Sequence, residues 1–196
     1  MLIDLHCHTF PLSQCSILTI DQLVDGARRR GLDGLCLTEH DRWWDEDELA
    51  EARTRTAFPI FTGVELTTEM GHVLGFGLPR PAGSLATGGE AHAWAMAHGG
   101  LLYLAHPARD GLLRVDHRTV EYFVSVEALN GSDSRLQNVA AKGLAHGFRL
   151  PGIGGSDCHT PAEIGTAATR FFDDVVDDAS LVEALRTGRY EPCYLE

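Results

Sequence analysis

The sequence predicts an α/β barrel, in which strands alternate with helices around a central core. Apolar, strand-like runs alternate with helical stretches six or seven times along the 196 residues, a pattern typical of parallel strands joined by crossover helices. Chemically reactive polar residues stand at the C-terminal ends of six of these runs, where a (β/α) barrel places its active site. An open sheet would use only two or three strand ends at one crevice, so closure is favoured.

The first half of the chain begins with two strand–helix units. Leu2 to His8 and Gly34 to His40 are short, mainly apolar runs that predict strands. Between them, the helix from Ile20 to Arg30 ends at Gly31, because glycine tolerates the left-handed backbone of a helix end. A charged amphipathic helix is predicted from Asp45 to Thr56.

Two β-rich runs then follow close together, "PIFTGVELTT" from Pro59 and "HVLGFG" from His72, which predicts adjacent strands. A helix from Thr87 to His98 stops at two glycines. The remaining predicted elements, in chain order, are a strand from Leu101 to Pro107, a weak helix from Asp116, a strand from Phe123 to Gly131, a helix from Ser134 to His146, a strand from Leu150 to His159, a short run from Gly165 to Phe171 and a helix from Ala179 to Thr187.

Length and composition limit the possible classes of protein. We expect one domain spanning residues 1–196, since single cores commonly span about 100 to 250 residues. The net charge of -12 argues against a long nucleic-acid partner, whose binding depends on Lys and Arg. The chain contains neither a Walker-type phosphate loop nor G-x-G-x-x-G after the first strand, which disfavours the nucleotide-binding folds.

The sequence also bears on location and on the state of the thiols. No apolar run approaches the roughly 20 residues of a membrane span, and the N-terminus has no secretory pattern, so we expect a cytoplasmic protein without a membrane partner. The five cysteines are odd in number and lack C-x-x-C spacing, which predicts free, mostly buried thiols rather than disulfides.

A histidine pair near the N-terminus raises the question of a metal site. Alternate residues of a strand share a face, so we expect Asp4, His6 and His8 to point one way and Cys7 to point the other way. A single H-x-H is a weak signal. The "DCH" run that ends at His159 repeats the pattern, again with a cysteine between two candidate ligands.

Further candidate ligands follow other predicted strands. Imidazole and carboxylate together suit zinc, manganese or iron, and the number of donors exceeds what one tetrahedral ion requires, which predicts more than one metal ion. The eight candidates are His6, His8, His40, Glu65, His72, His106, Asp157 and His159. The other histidines have no such placement and are interpreted as structural; they are His92, His98, His117 and His146.

Taken in order, the motifs resemble those of the PHP superfamily, named for polymerase and histidinol phosphatase. The resemblance runs from residue 2 to about residue 190 and rests on "DLHCHT", "LTEHD", "GVEL", "HVLGFG", "AHP", "NG" and "GSDCHTPAEIG". It implies a distorted (β/α)7 TIM-like barrel of the PHP type, two to three divalent metal ions (Zn, Mn or Fe) and hydrolysis of phosphoesters. It also implies that the eight candidates are ligands, with Glu65 bridging two ions, and that Asp4 and Asn130 support them.

The sequence departs from the family pattern at Gln14, where an aspartate is expected after the first histidine pair. A neutral amide is a poorer ligand for a hard cation than a carboxylate. The departure predicts two ions with a weak or absent third. The alternative is that Gln14 lies outside the ligand set and only hydrogen-bonds a bound water.

These features predict an enzyme that hydrolyses a small phosphorylated metabolite or nucleotide with metal-activated hydroxide. Glu65, His106 and His159 are the candidate catalytic residues, and either histidine could act as ligand or as acid. Arg42 and Arg109 follow predicted strand ends and are candidates to bind a phosphate, although solvated surface charges are an equal alternative.

Two other classes of function stay open on the sequence alone. One is a nuclease that acts on oligonucleotide ends, against which the acidic charge counts. The other is a metal-binding regulatory or interaction module that has lost catalysis, which the Gln14 departure makes conceivable. The oligomeric state is not predicted.

Overall fold

The computed structural model describes residues 1–109 and 120–195. In these residues the strands form one nine-stranded sheet with the order β7-β6-β5-β4-β3-β2-β1-β8-β9. The strands are β1 (Leu2–Cys7), β2 (Gly34–Leu37), β3 (Ile60–Thr68), β4 (Gly71–Phe76), β5 (Leu101–Leu104), β6 (Ser125–Asn130), β7 (Ile153–Gly155), β8 (Ala167–Phe171) and β9 (Tyr190–Tyr194). The helices are α1 (Ile20–Arg30), α2 (Glu46–Thr56), α3 (Gly88–His98), α4 (Arg135–Ala145) and α5 (Asp178–Thr187).

The sheet curls until its first and seventh strands meet, which gives a nearly closed barrel. At this seam Cys7 and Cys158 form a parallel bridge. The His8 amide donates to the Cys158 carbonyl at 3.3 Å, and the Asp157 amide donates to the His6 carbonyl at 2.8 Å. The strands approach so closely that a Cβ added at Gly155 would lie 2.4 Å from the Cβ of His6. Only glycine therefore fits this position of the seam.

Strand direction departs from the parallel pattern that the sequence predicts. β4 runs antiparallel to both β3 and β5, while β1–β2–β3 and β5–β6–β7 are parallel. The link between β3 and β4 is only Glu69 and Met70, and a parallel crossover needs a dozen or more residues. Because β4 is reversed, its first residues lie at the end of the barrel where its parallel neighbours finish.

The last part of the sheet was not predicted in full. β8 pairs antiparallel with β1, and β9 pairs antiparallel with β8. The sequence predicted a short run from Gly165 to Phe171 but no strand at Tyr190, since "YEPCY" contains a proline and too few apolar residues to indicate one.

Helix ends agree with the sequence pattern because the caps are local. Thr19 and Thr87 each accept a hydrogen bond from the backbone of the third helical residue and form a capping box. Gly31 ends α1 in the left-handed conformation, with φ of 72°. The weak helix predicted from Asp116 begins outside the described residues, and Val120–Tyr122 form a single 3-10 turn.

The inner core lies below the polar end of the barrel. Side chains from β1 to β5, β7 and β8 form one buried cluster that includes Ile3, Phe61 and Leu101. Leu181 and Leu185 of α5 join it, so this helix covers the end at which the parallel strands begin. The opposite end, where these strands finish, is left for the polar residues. None of the described helices is long and apolar enough to cross a membrane.

Candidate metal centre

Glu65, a buried residue of β3, lies at the centre of the predicted ligands. Its Oε2 is 3.1 Å from His8 Nε2 and 3.1 Å from His40 Nδ1. The same oxygen is 3.3 Å from His6 Nε2. Donor atoms from β1 and from the residues that follow β1 and β2 therefore meet on one side of this carboxylate.

The second oxygen of Glu65 faces two further histidines. Glu65 Oε1 is 2.8 Å from His72 Nδ1 and 3.1 Å from His106 Nε2. His72 reaches the site because β4 is reversed and begins at this end of the barrel. The two oxygens of one carboxylate thus face two separate groups of imidazoles, the arrangement that a bridging ligand requires.

Asp157 supplies the second carboxylate of the site. Its Oδ1 lies 3.4 Å from His6 Nε2, 3.3 Å from His8 Nε2 and 3.7 Å from His159 Nδ1. The ring of His159 stacks on that of His8, with 4.5 Å between centroids. The structure therefore brings all eight predicted ligands together, although they come from both ends of the chain.

The donor atoms fit a cluster of metal ions. Among the buried side-chain atoms that lack a hydrogen-bond partner in the described residues, four belong to the predicted ligands: His6 Nε2, His8 Nε2, Glu65 Oε2 and His72 Nδ1. Buried polar atoms are normally paired, so four such atoms in one place fit the ligation of cations. Three overlapping groups have donor atoms within 4.8 Å of one another: His6, His8 and Asp157; His40, Glu65 and His72; His8, His40 and His159.

Two of the predicted ligands occupy left-handed backbone, which is rare for residues other than glycine. The φ angles are 27° at His106 and 54° at Asp157. The His106 amide donates to Glu127 Oε2 at 2.8 Å, and the Asp157 amide donates to the His6 carbonyl at 2.8 Å. Such strain persists only where surrounding contacts hold it, and it is concentrated at functional sites.

Glu127, on β6, orients several parts of the site and was missed by the sequence reasoning. It is fully buried. Its Oε1 lies 2.9 Å from His6 Nδ1, and its Oε2 accepts from Asn130 Nδ2 at 2.9 Å. A carboxylate that accepts a hydrogen bond from the ring nitrogen opposite the metal-binding nitrogen, here called the far nitrogen, fixes the tautomer and ring orientation that metal ligation needs. The only signal was an acidic residue inside the apolar run "FVSVEALNG".

Asp4 has a different place from the one predicted for it. Asp4 pairs with Leu35 of β2 and Cys7 pairs with Leu37, so β1 advances three residues where β2 advances two. This β-bulge interrupts the alternation of side chains, and Asp4 shares its face with Cys7 instead of with His6. The face predicted for Asp4 was therefore wrong, because strict alternation assumes a regular strand.

Asp4 was also predicted to orient a ligating imidazole, but it binds main-chain amides instead. Asp4 Oδ1 accepts from the main-chain amides of Ser156 at 2.8 Å and His6 at 3.2 Å. It holds the backbone of the seam, while Glu127 holds the imidazole of His6. Burial raises the pKa of Asp4 to about 6, against the hydrogen bonds from Ser156 and His6, which lower it.

Gln14 is exposed and forms no side-chain hydrogen bond with the described residues. Its contact with a bound water stays a prediction. Its neighbour Ser13 turns inward instead. Ser13 Oγ lies 3.2 Å from His8 Nδ1 and donates to Glu39, and the Ser13 amide donates to the Thr9 carbonyl at 2.8 Å. This tight turn leaves the next side chain facing solvent.

Glu39 is a second buried carboxylate behind the ligands. It accepts from the Thr9 amide at 3.0 Å and from Trp44 Nε1 at 3.0 Å. Through Ser13 it acts on the far nitrogen of His8, as Glu127 acts directly on His6. The sequence placed Glu39 at a strand end but gave it no role.

The two predicted phosphate-binding arginines differ in their surroundings. Arg42 is exposed in the loop after β2. Arg109 Nε donates to Asp133 Oδ1 at 2.7 Å, and its Nη2 donates to Asp157 Oδ2 at 2.8 Å. Asn130 Nδ2 also donates to Asp157 Oδ2, at 3.3 Å. Arg109 and Asn130 therefore hold the carboxylate of a predicted ligand, a role for Arg109 that the sequence did not reveal.

The remaining histidines lie elsewhere. On α3, His92 Nδ1 is 3.3 Å from the Tyr122 carbonyl, and His98 Nδ1 is 2.9 Å from the Trp94 carbonyl. His146 follows α4 as its C-cap. His117 lies outside the described residues.

Burial and neighbouring charges shift the pKa values of the predicted ligands. Burial opposes ionisation of Glu65, but His6 and its neighbours outweigh it and hold the pKa of Glu65 well below its usual range. Burial also opposes a charge on His6, yet Glu127 and Asp157 raise the pKa of this imidazole well above its usual value. At His40 burial dominates and lowers the pKa to about 4. Without a metal ion, His6 therefore holds a proton that a ligated ion must displace.

Metal binding is accordingly expected to release protons. Because the pKa of His6 is raised, its proton stays bound at neutral pH and competes more strongly as the pH falls. The apparent affinity for Zn²⁺ should weaken about tenfold per pH unit for each proton displaced. Titration calorimetry of the metal-free protein in two buffers with different ionisation enthalpies measures the release. Equal heats in both buffers would contradict it.

With this geometry established, comparison with protein families identifies the chain. The model of the PHP domain matches residues 4–131, which is more than half of the sequence. The chain belongs to the PHP family. A second model, described as PHP-associated, matches residues 135–190 of this PHP protein. No curated protein gives a significant match.

Solved structures share the fold of this PHP protein. A proposed metal-dependent phosphoesterase from Bifidobacterium adolescentis aligns with a TM-score of 0.64 and 18% identity over 94% of this chain and 95% of that one. An amidohydrolase from Chromobacterium violaceum, with bound sulfate and no metal, aligns with a TM-score of 0.63 and 21% identity over 83% and 89%. The predicted fold class, a distorted TIM-like barrel of the PHP type, is confirmed.

Proposed function

We propose that this PHP protein is a metal-dependent phosphoesterase that hydrolyses a small phosphorylated metabolite or nucleotide. The observation that carries the proposal is the convergence of six imidazoles on the carboxylates of Glu65 and Asp157, with four buried donor atoms that have no hydrogen bond to the described residues. The description of the Bifidobacterium relative as a proposed metal-dependent phosphoesterase supports it.

The eight side chains would hold two to three divalent ions of zinc, manganese or iron. When bound, such ions lower the pKa of coordinated water and neutralise charge on a phosphoryl group. The chain itself contributes the orientation of the ligands: Glu127 holds the ring of His6, Ser13 holds the ring of His8, and Arg109 holds Asp157. These contacts keep the donor atoms in place before a substrate binds.

His159 is the better of the two candidate acids. Its side chain is 25% exposed, whereas that of His106 is 4% exposed and lies 3.1 Å from Glu65. A group that donates a proton to the leaving oxygen must reach the substrate. We therefore propose that His159 switches between ligand and acid at the mouth of the site, and that His106 and Glu65 act as ligands only.

Metal removal is the first test of the proposal. Dialysis against a chelator is expected to lower the rate of phosphoester hydrolysis at least ~100-fold, because ions provide the positive charge of the site. Addition of manganese, zinc or ferrous ion should restore it. Full activity in protein that contains less than one divalent ion per chain would refute the proposal.

The substrate class is tested with a panel of phosphomonoesters, nucleoside monophosphates and short oligonucleotides with added manganese. We expect turnover of small phosphomonoesters or nucleotides, since a net charge of -12 repels long nucleic acid. Cleavage of oligonucleotides from their ends alone would favour a nuclease. Inactivity of the metal-loaded protein on the whole panel would favour a regulatory or interaction module.

Arg42 is expected to contribute to substrate binding. It is exposed in the loop that follows β2, two residues after His40. Arg42→Ala should raise KM about tenfold or more with little change in kcat, because a hydrogen bond to a charged group contributes about 1.5–3 kcal/mol. Arg29→Ala, on the exposed face of α1, is the matched control. Equal KM values for the two variants would exclude Arg42 from the substrate site.

A further inference from the structure

A second cluster of potential ligands lies behind the histidine centre, on the other face of β1. It consists of Asp4, Cys7 and Cys158, whose carboxylate and sulfur atoms lie within 4.8 Å of one another. All three side chains are fully buried. The bulge in β1 creates this group, because it brings Asp4 onto the face of Cys7. None of the three belongs to the eight ligands of the histidine centre.

One carboxylate oxygen of Asp4 is free to bind a cation. Its Oδ1 accepts two main-chain hydrogen bonds, but its Oδ2 is buried and has no hydrogen-bond partner among the described residues. Asp4 takes part in none of the ion pairs among residues 1–109 and 120–195. A carboxylate removed from water requires a partner for its charge. The two thiol sulfurs lie within 4.8 Å of a carboxylate oxygen of Asp4.

We propose that Asp4, Cys7 and Cys158 form a separate metal site that takes a thiophilic divalent ion such as zinc. Thiolate sulfur is a preferred ligand of zinc, and carboxylate oxygen can complete its ligand set. The main-chain oxygen of Asp4, 4.0 Å from Cys7 Sγ, is a fourth donor atom beside the cluster. Binding transfers one proton from each thiol to solvent, and two thiolates and one carboxylate then surround the ion.

The position of the cluster gives the ion a structural role. Cys7 lies between His6 and His8, and Cys158 lies between Asp157 and His159. An ion held by both sulfurs would cross-link β1 to the residues that follow β7 at the seam of the barrel, directly behind these predicted ligands. Because all three side chains are buried, a substrate cannot reach the site.

Cobalt substitution tests this site independently of activity. Thiolate ligands give Co²⁺ an intense near-ultraviolet charge-transfer band, whereas imidazole and carboxylate ligands do not. Metal-free wild-type protein, reduced and then titrated with Co²⁺, is expected to develop this band and to reach saturation once both the histidine centre and the thiolate site are filled, with about one Co²⁺ per chain at the thiolate site. Saturation of the histidine centre without any thiolate band would overturn the proposal.

Variants identify the sulfurs. Cys7→Ser and Cys158→Ser should each abolish the band, while Cys36→Ser and Cys193→Ser should retain it. Asp4→Asn should retain the band but weaken cobalt binding at this site about tenfold or more. A band that survives in the Cys7→Ser, Cys158→Ser double variant would overturn the assignment. A disulfide between Cys7 and Cys158 in the unreduced wild-type protein would also overturn it, since it consumes both ligands.

Discussion

The Glu65→Gln variant is expected to lose bound metal and hydrolytic activity together. The two oxygens of Glu65 face two separate groups of imidazoles at 2.8 to 3.3 Å, so one substitution affects both groups. An amide keeps the shape of the side chain but removes the negative charge that balances the ions. Mutation of a residue that only orients a metal ligand lowers metal affinity or activity about 10–100-fold. Loss of the ligand itself should therefore lower kcat at least ~100-fold. Metal analysis and the rate of phosphoester hydrolysis are the measurements.

Glu191→Gln is the control for this variant. Glu191 also lies on a strand, but its side chain is 58% exposed and far along the sheet in β9. It should keep the wild-type metal content and rate. If Glu65→Gln retained both metal and activity, the carboxylate would not be a ligand, and the proposed function would lose its central residue.

The Glu127→Gln variant is expected to weaken metal binding about 10–100-fold without unfolding the protein. Glu127 does not face the shared centre; it holds the far nitrogen of His6 at 2.9 Å and accepts from the His106 amide at 2.8 Å. The amide can keep one oxygen acceptor but lacks the charge that fixes the imidazole tautomer. The variant should therefore need more manganese for half-maximal activity and approach the wild-type kcat at saturating metal.

Two measurements, the dependence of activity on metal concentration and the thermal unfolding temperature, show whether Glu127 positions His6 or only stabilises the fold. Glu183→Gln, an exposed residue of α5, provides the matched control. A lower Tm of the metal-free variant with an unchanged metal requirement would show that Glu127 only supports the fold. A raised metal requirement at unchanged Tm would show that it positions His6.

The chemistry of the site follows from local sequence patterns. Histidine and carboxylate pairs that flank a cysteine, such as His6 and His8, are visible without a structure, and their positions after apolar runs predict one end of a barrel. Helix limits also follow from local signals, because caps such as Thr19 act within a few residues. All eight candidate ligands lie within one site because they lie at the same end of the barrel.

Roles that depend on contacts between distant segments do not follow from such patterns. Glu127 reaches His6 across 121 positions of the chain, and Arg109 reaches Asp157 across 48. In the sequence, Glu127 is one acidic residue in an apolar strand, and Arg109 has the same appearance as a surface charge. Only the packing of the strands decides which partner each one meets.

The sequence by itself determined the family, the eight candidate ligands and the class of fold, because these depend on residue type and short spacing. The tertiary structure alone decided the direction of β4, the bulge that moves Asp4 to the face of Cys7, and the inward turn of Ser13 in place of Gln14. Strand direction, bulges and turns depend on pairing with other strands. A local pattern records which side chains are available, whereas the pairing decides where they point.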